Sequence, residues 1–244
     1  MRINHRKSSD LRPVTITPNY LLYPEGSALI TIGNTQVVCT VTIEKDIPRW
    51  KKNQGIPGGW ITAEYAMLPR ATHQRTPREI NSLGGRTQEI RRLIGRSLRA
   101  AVDLEKLGQR TCTIDCDVLQ ADGGTRTAAI TGGYVALVIA LRKLIQDNII
   151  PSETIKTAVA AVSAGVLDGL PVLDMCYEED SIAQVDINVV MNSSGEFIEV
   201  QGTSESAPFT RSTLDNLLNL AYKGIGELLS IQRGVLYITH DVMA

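Results

Sequence analysis

The chain has 244 residues, 43% hydrophobic and 21% charged, with 25 Lys and Arg against 26 Asp and Glu for a net charge of −1. That length buries a full core as one large domain or two small ones, and the composition is ordinary for a soluble globular protein. No apolar run reaches a membrane span and no secretory apolar segment follows Met1-Arg2-Ile3-Asn4-His5-Arg6, so no membrane partner is expected.

In chain order, residues 27–33 and 35–43 alternate as a hairpin closed by Gly33-Asn34. Residues 46–59 are rich in Pro, Gly and Lys and read as a surface loop, and residues 60–68 read as a strand. Ile90, Leu93, Ile94, Leu98 and Ala101 form the stripe of a helix that begins just after Gly84-Gly85-Arg86-Thr87. A strand over 111–119 leads through Asp122-Gly123-Gly124 into a second, mostly apolar helix. Three or four strands follow between 158 and 200, with Asn192-Ser193-Ser194-Gly195 as a turn. A last helix over 212–229 carries Leu214, Leu217, Leu218, Ala221, Ile225 and Leu228. A hairpin precedes a long helix in both the first and last thirds, a pattern compatible with a duplicated βα unit. Cys39, Cys112, Cys116 and Cys176 suit neither a disulfide framework nor a zinc site. Cys112, Ile114, Cys116 and Val118 alternate as one buried strand face, and free buried thiols point to a reducing cytoplasm.

The near-zero net charge conceals a separation. Eight arginines and three glutamates lie between Trp60 and Ala100, whereas Thr157 through Thr210 holds nine carboxylates and no Lys or Arg. One segment is suited to anions, the other to cations or to pairing with the first. Arginine throughout the basic segment favours bidentate phosphate contact. Arg92, Arg96 and Arg99 sit at helical spacing, and at least two of them read as a solvated face or a subunit contact.

Asp122-Gly123-Gly124-Thr125-Arg126 opens the second helix. Two glycines bring backbone close to a ligand, and the helix start leaves N–H groups unpaired. With the Thr125 hydroxyl and the Arg126 guanidinium they describe a phosphate-sized anion pocket; a plain helix start with a surface Arg is the other reading. The run is neither a Walker loop nor a GxGxxG motif. In the acidic segment, Asp186 falls on the opposite strand face from Val185 and Ile187, beside Asn188. On a straight backbone Asp180 and Asp186 would stand roughly 20 Å apart. Only a tight reversal at Asp180-Ser181-Ile182 joins them, and the pair would then suit Mg²⁺. Otherwise Asp180 is a turn former and Asp186 a strand charge paired with an arginine. Glu178 and Glu179 read as solvated turn residues. The histidines (His5, His73, His240) are scattered and carry no assigned role.

Leu119-Gln120-Ala121-Asp122-Gly123-Gly124-Thr125-Arg126-Thr127 resembles the signature of the ribonuclease PH family of phosphate-dependent 3′ exoribonucleases. Four further blocks agree in family order: residues 63–70, Gly85-Arg86-Thr87-Gln88-Glu89-Ile90, Glu179-Asp180-Ser181 with Val185-Asp186, and Glu199-Val200-Gln201-Gly202-Thr203. The resemblance covers about residues 11–232. The resemblance implies an α/β (α+β) chain with the ribosomal protein S5 domain 2-like fold, its βα units duplicated within one domain over 1–244. It implies phosphate on Arg86, Gly124, Thr125 and Arg126, and Mg²⁺ (or Mn²⁺) on a catalytic pair, Asp180 and Asp186. Arg70, Arg75 and Arg78 would line the route of an RNA 3′ strand. It further implies a homohexameric ring, a trimer of dimers, that trims RNA 3′ ends, chiefly of transfer RNA precursors. Inorganic phosphate is the co-substrate, nucleoside diphosphates are released, and the reverse addition is also expected. A catalytically inactive, RNA-binding ring subunit of the same fold is the alternative. A small-molecule kinase would need a triphosphate loop that is not evident. The chain departs from the family at Asn4-His5-Arg6, where Asp-Gly-Arg is usual, and at Ser82-Leu83, where Gly-Lys is frequent. Tyr237-Ile238-Thr239-His240 matches no family block.

Overall fold

A computed structural model describes residues 2, 5–80, 82–206 and 208–241, with backbone alone at 239–241. Asn4 lies outside the described residues, as do the side chains of Thr239 and His240. Alternating apolar residues form β1 (Val14–Pro18), β2 (Gly26–Ile32) and β3 (Thr35–Glu44), the last two joined by the expected Gly33-Asn34 turn. The loop after β3 is not wholly irregular, since it contains a short helix, α1 (Arg49–Asn53). The buried Lys51 there donates to the carbonyls of Ile56, Pro57 and Gly58, so three backbone acceptors replace water around one ammonium.

β4 (Trp60–Met67) is followed by α2 (Gly85–Ala100), α3 (Leu104–Leu107) and β5 (Thr111–Gln120). The five strands form one sheet in the order β1-β2-β3-β5-β4, with β4 parallel to β5 and the other neighbours antiparallel. α2 begins at Gly85, within the Gly-Gly-Arg-Thr run and not after it, because Gly84 takes an extended N-cap conformation. That places Arg86 in its first turn. Cys112, Ile114, Cys116 and Val118 form the expected buried face, and all four cysteines are free and buried. Burial pushes the Cys112 thiol up to about 12, leaving it unreactive.

α4 (Thr125–Gln146) lies between this sheet and a second one. By length and composition α4 would cross a membrane, contrary to the expectation that no run is long enough. Here 78% of its most apolar window is buried inside the protein, because both of its sides face a sheet. The second sheet, of order β7-β6-β8-β9, is antiparallel throughout. It comprises β6 (Val159–Leu167), β7 (Leu170–Leu173), β8 (Val185–Asn192) and β9 (Phe197–Ser204), with the four-residue α5 (Tyr177–Asp180) between β7 and β8. Val159, Ala161 and Val190 face α4, whereas Ala160, Val162, Ala164, Ile187 and Val189 face the last helix, α6 (Arg211–Asp241).

α6 runs twelve residues beyond the expected end. Ile231, Val235 and Leu236 continue its apolar stripe onto the α4 side. The buried Gln232 amide donates to the carbonyls of Thr131 and Val159 at 2.9 and 3.0 Å, and these contacts hold the extension.

Candidate active site

Two helices begin at one cavity. α2 and α4 both have glycine N-caps, Gly84 and Gly124, and no side chain caps either helix. Their first-turn amides therefore stay available to an anion. Each carries arginine at its second position, Arg86 and Arg126, and both side chains line a cavity of about 780 Å³. Gly123 and Gly124 make the approach with φ of 74° and 67°, the left-handed region that suits glycine. A Cβ at Gly123 would sit 2.5 Å from the Met175 carbonyl, so the turn also requires the absence of a side chain. Thr125 differs in detail from the expectation of a phosphate-facing hydroxyl. It is buried, and its hydroxyl accepts from Tyr65 on β4 at 2.9 Å. Neither Gly124 nor Thr125 lines the cavity; of this run Arg126 does, placed there by the turn that precedes it.

The second sheet supplies the opposite charge. After α5 the chain reverses through Ser181 N to Tyr177 O (2.9 Å), Ile182 N to Glu179 O (3.3 Å) and Ala183 N to Asp180 O (3.2 Å). This is the reversal that the sequence required, and Asp180 and Asp186 line the same cavity as the two arginines. Burial raises the Asp180 pKa, and the charges of Arg86 and Arg126 oppose the rise. Burial, followed by the charge of Asp180, pushes Asp186 up to about 6. Among the described residues neither aspartate has an ion-pair partner, and no group of three or more His, Cys, Asp or Glu side chains is placed to hold a metal. Two uncompensated carboxylates in an open polar cavity fit Mg²⁺ or Mn²⁺ that keeps most of its water; they do not fit a caged zinc.

Other residues in or beside this cavity were not singled out as site residues from the sequence. Glu89, one turn along α2 from Arg86, stands 3.4 Å from the Arg126 guanidinium. Gln201 accepts from Arg126 at 3.5 Å and donates to Glu199 at 2.8 Å, and Glu199 is held in turn by Arg96 at 3.0 Å. Glu89, Glu199 and Gln201 belong to the sequence blocks quoted above, which was the available signal. Glu205 also lines the cavity, with no such signal.

Glu179 corrects the sequence reading. It is 3% exposed, not solvated, and it accepts two hydrogen bonds from Arg2 (3.0 and 2.8 Å) and one from Arg6 (2.9 Å). Burial works against its charge, but Arg2, the Cys176 N–H and Arg6 together outweigh burial and hold its pKa below the usual carboxylate range. The N-terminal arm thereby anchors the residue preceding Asp180. His5, where the family usually has glycine, takes a left-handed φ of 55°.

The remaining arginines separate. Arg70 lines a different cavity of about 1300 Å³ with His73, Gln120 and Asp122. Arg75 and Arg78 are exposed in the loop between β4 and α2 and line neither cavity. Arg96 pairs with Glu199, and Arg99 stacks 4.4 Å over Trp60 while donating to the Ile61 carbonyl at 2.7 Å. These two have partners within the chain instead of forming a plain solvated face.

The chain is similar to known proteins over nearly its whole length. The models for the 3′ exoribonuclease family, domain 1 and domain 2, match residues 10–143 and 157–224. Ribonuclease PH of Moorella thermoacetica is 56% identical over 238 residues, 97% of this chain and 94% of that protein. Rice Rrp46 superposes with a TM-score of 0.78 at 21% identity, covering 96% of this chain and 100% of its own. The Archaeoglobus fulgidus exosome with RNA bound to the active site gives 0.77 at 22% identity, covering 94% and 91%. The last two establish likeness of fold. The chain belongs to the 3′ exoribonuclease family.

Proposed function

We propose that the chain is a phosphate-dependent 3′→5′ exoribonuclease that shortens RNA by one nucleotide per turnover and releases nucleoside diphosphates. The observation that carries this reading is the convergence of two uncapped helix starts, each bearing an arginine, on a cavity that also holds Asp180 and Asp186. An anion site facing a carboxylate pair is what transfer between two phosphate groups needs. Its 56% identity to a ribonuclease PH supports the same reaction.

Inorganic phosphate bound by Arg86, Arg126 and the amides of α4 presents an oxygen to the last internucleotide phosphorus. A new P–O bond forms, the bond to the 3′-oxygen breaks, and that oxygen leaves with a proton as the new RNA end. Asp180 and Asp186 would hold Mg²⁺ or Mn²⁺, which when bound supplies neutralisation of charge on the reacting phosphoryl oxygens. Positioning and charge stabilisation suffice, so no nucleophilic side chain is required. One phosphodiester is exchanged for another phosphate linkage, so addition from nucleoside diphosphates also proceeds, a nucleotidyltransferase activity.

The substrates in this reading are transfer RNA precursors, and the compartment is the cytoplasm, which the four free thiols suit. The assembly is a homohexameric ring. Leu22 at 86%, Tyr23 at 94% and Ile80 at 84% exposure are apolar groups for subunits to cover. Sedimentation at the monomer mass would refute the ring.

The deciding experiment incubates the purified protein with a 3′-tailed RNA and Mg²⁺, with and without inorganic phosphate. Diphosphates released only with phosphate are the expected result. Monophosphates released without phosphate would mean a hydrolase, and RNA bound but uncut would mean a silent ring subunit.

A further inference from the structure

Arg12 joins the two halves of the site, and the function assigned above gives it no role. It is 5% exposed and donates five hydrogen bonds across the junction between the two sheets. Its main-chain N–H and Nε reach Asp174 Oδ2 at 2.7 and 3.0 Å, and Nη2 reaches Asp174 Oδ1 at 2.7 Å. The same guanidinium donates from Nη1 to the Asp122 carbonyl and from Nη2 to the Gly123 carbonyl at 3.3 Å. Asp174 is itself 3% exposed and left-handed at φ 52°, so the guanidinium compensates both a buried carboxylate and an unusual backbone.

Thr35 grips the turn from the other side. This fully buried residue begins β3, and its hydroxyl donates to the Gly123 carbonyl at 2.7 Å while accepting from the Asp122 N–H at 3.0 Å. The Gly123 carbonyl thus receives two donors from separate elements. A peptide unit is planar, so fixing that carbonyl also fixes the direction of the Gly124 N–H in the same plane. Two consecutive glycines have the widest conformational freedom of any pair, and a turn made of them keeps one geometry only when its neighbours impose it.

We infer that Arg12 and Thr35 are positioning residues that hold the Asp122-Gly123-Gly124 turn, and with it the start of α4 and Arg126, in place and so set the affinity for inorganic phosphate. The inference rests on the phosphate-dependent reading of the cavity. Neither side chain lines that cavity, so each acts through the turn.

The test uses Thr35→Val, which keeps shape and β-branching without the hydroxyl; Thr35→Ser, which keeps the hydroxyl; and Arg12→Lys, which keeps the charge without the fork. Inorganic phosphate binding is titrated calorimetrically, and RNA binding and diphosphate release are followed alongside. Thr35→Val and Arg12→Lys are expected to weaken phosphate binding about tenfold, with RNA binding within twofold of the parent and Thr35→Ser close to it. A purely structural role would lower thermal stability while leaving the phosphate constant unmoved, or would weaken phosphate and RNA together; either result overturns the inference. Should Arg12→Lys fail to fold, Thr35→Val decides alone. Phosphate binding that responds as expected in a protein releasing no diphosphate would instead sink the proposed function.

Discussion

Asp186→Asn is expected to stabilise the metal-free protein while abolishing phosphorolysis. The carboxyl is half-buried on β8 with its pKa pushed up from 3.8 to about 6, by burial first and by the charge of Asp180 second. At full effect that rise costs the ionised folded form about 3 kcal/mol, and solvent reaching a half-buried group reduces the figure to about 1–3 kcal/mol. The folded-state pKa is raised, so the wild type carries no penalty below the unfolded value of 3.8. The penalty grows as the pH rises from there to about 6 and is constant above it. An asparagine keeps the side-chain shape and a partner for the Asn188 amide, which lies 3.4 Å from Asp186 Oδ2. Urea unfolding of both proteins in EDTA between pH 3.5 and 8 measures the difference directly. The variant should be the more stable by the stated amount at pH 7.5, and the difference should vanish near pH 4. Adding Mg²⁺ should narrow the gap by stabilising only the wild type. In the same window the phosphorolysis rate of the wild type should fall as the pH drops through about 6. Equal stability of the two proteins at pH 7.5, or a gap that does not change with pH, would refute the account of Asp186 as an uncompensated charge.

Replacing Arg86 or Arg126 with alanine should lower the phosphate-dependent rate by at least about a hundredfold, as loss of a charge-stabilising donor does. RNA affinity should stay within a few-fold, and an unchanged rate in both variants would remove the phosphate assignment. Glu89→Gln removes an ion-pair competitor for the Arg126 guanidinium, 3.4 Å away. A partly exposed pair is worth up to about 1 kcal/mol, so the phosphate KM should fall by up to about fivefold; a rise would mean that Glu89 itself orients the arginine. His5→Gly relieves a left-handed residue at φ 55°. That strain costs about 1–2 kcal/mol, and the added chain entropy of glycine offsets about half of it. Thermal unfolding should shift upward by about 2–3 °C, and a downward shift would mean that the imidazole makes compensating contacts.

Local pattern made much of this protein legible. The Cys112-Ile114-Cys116-Val118 alternation and the Ile90-to-Ala101 stripe are set by the strand and helix periods themselves, and both lie where those periods put them. Arg126 is singled out on its glycine turn, Asp180 and Asp186 on condition of a chain reversal, and Arg86 through the family resemblance; the structure brings the four to one cavity. The end of α6 was not legible, since residues 230–241 continue the helix on contacts with α4 and β6, more than 70 residues away in sequence. Glu179 carries no local sign that it is buried, because its partners Arg2 and Arg6 lie more than 170 positions earlier. Arg12 and Asp174, separated by 162 positions, are the same case. The sequence by itself determined the elements and the chemical character of the residues they carry. Only the tertiary structure decided which charges meet, because a buried ion pair forms wherever packing brings two ends of the chain together, and no period along the chain encodes that meeting.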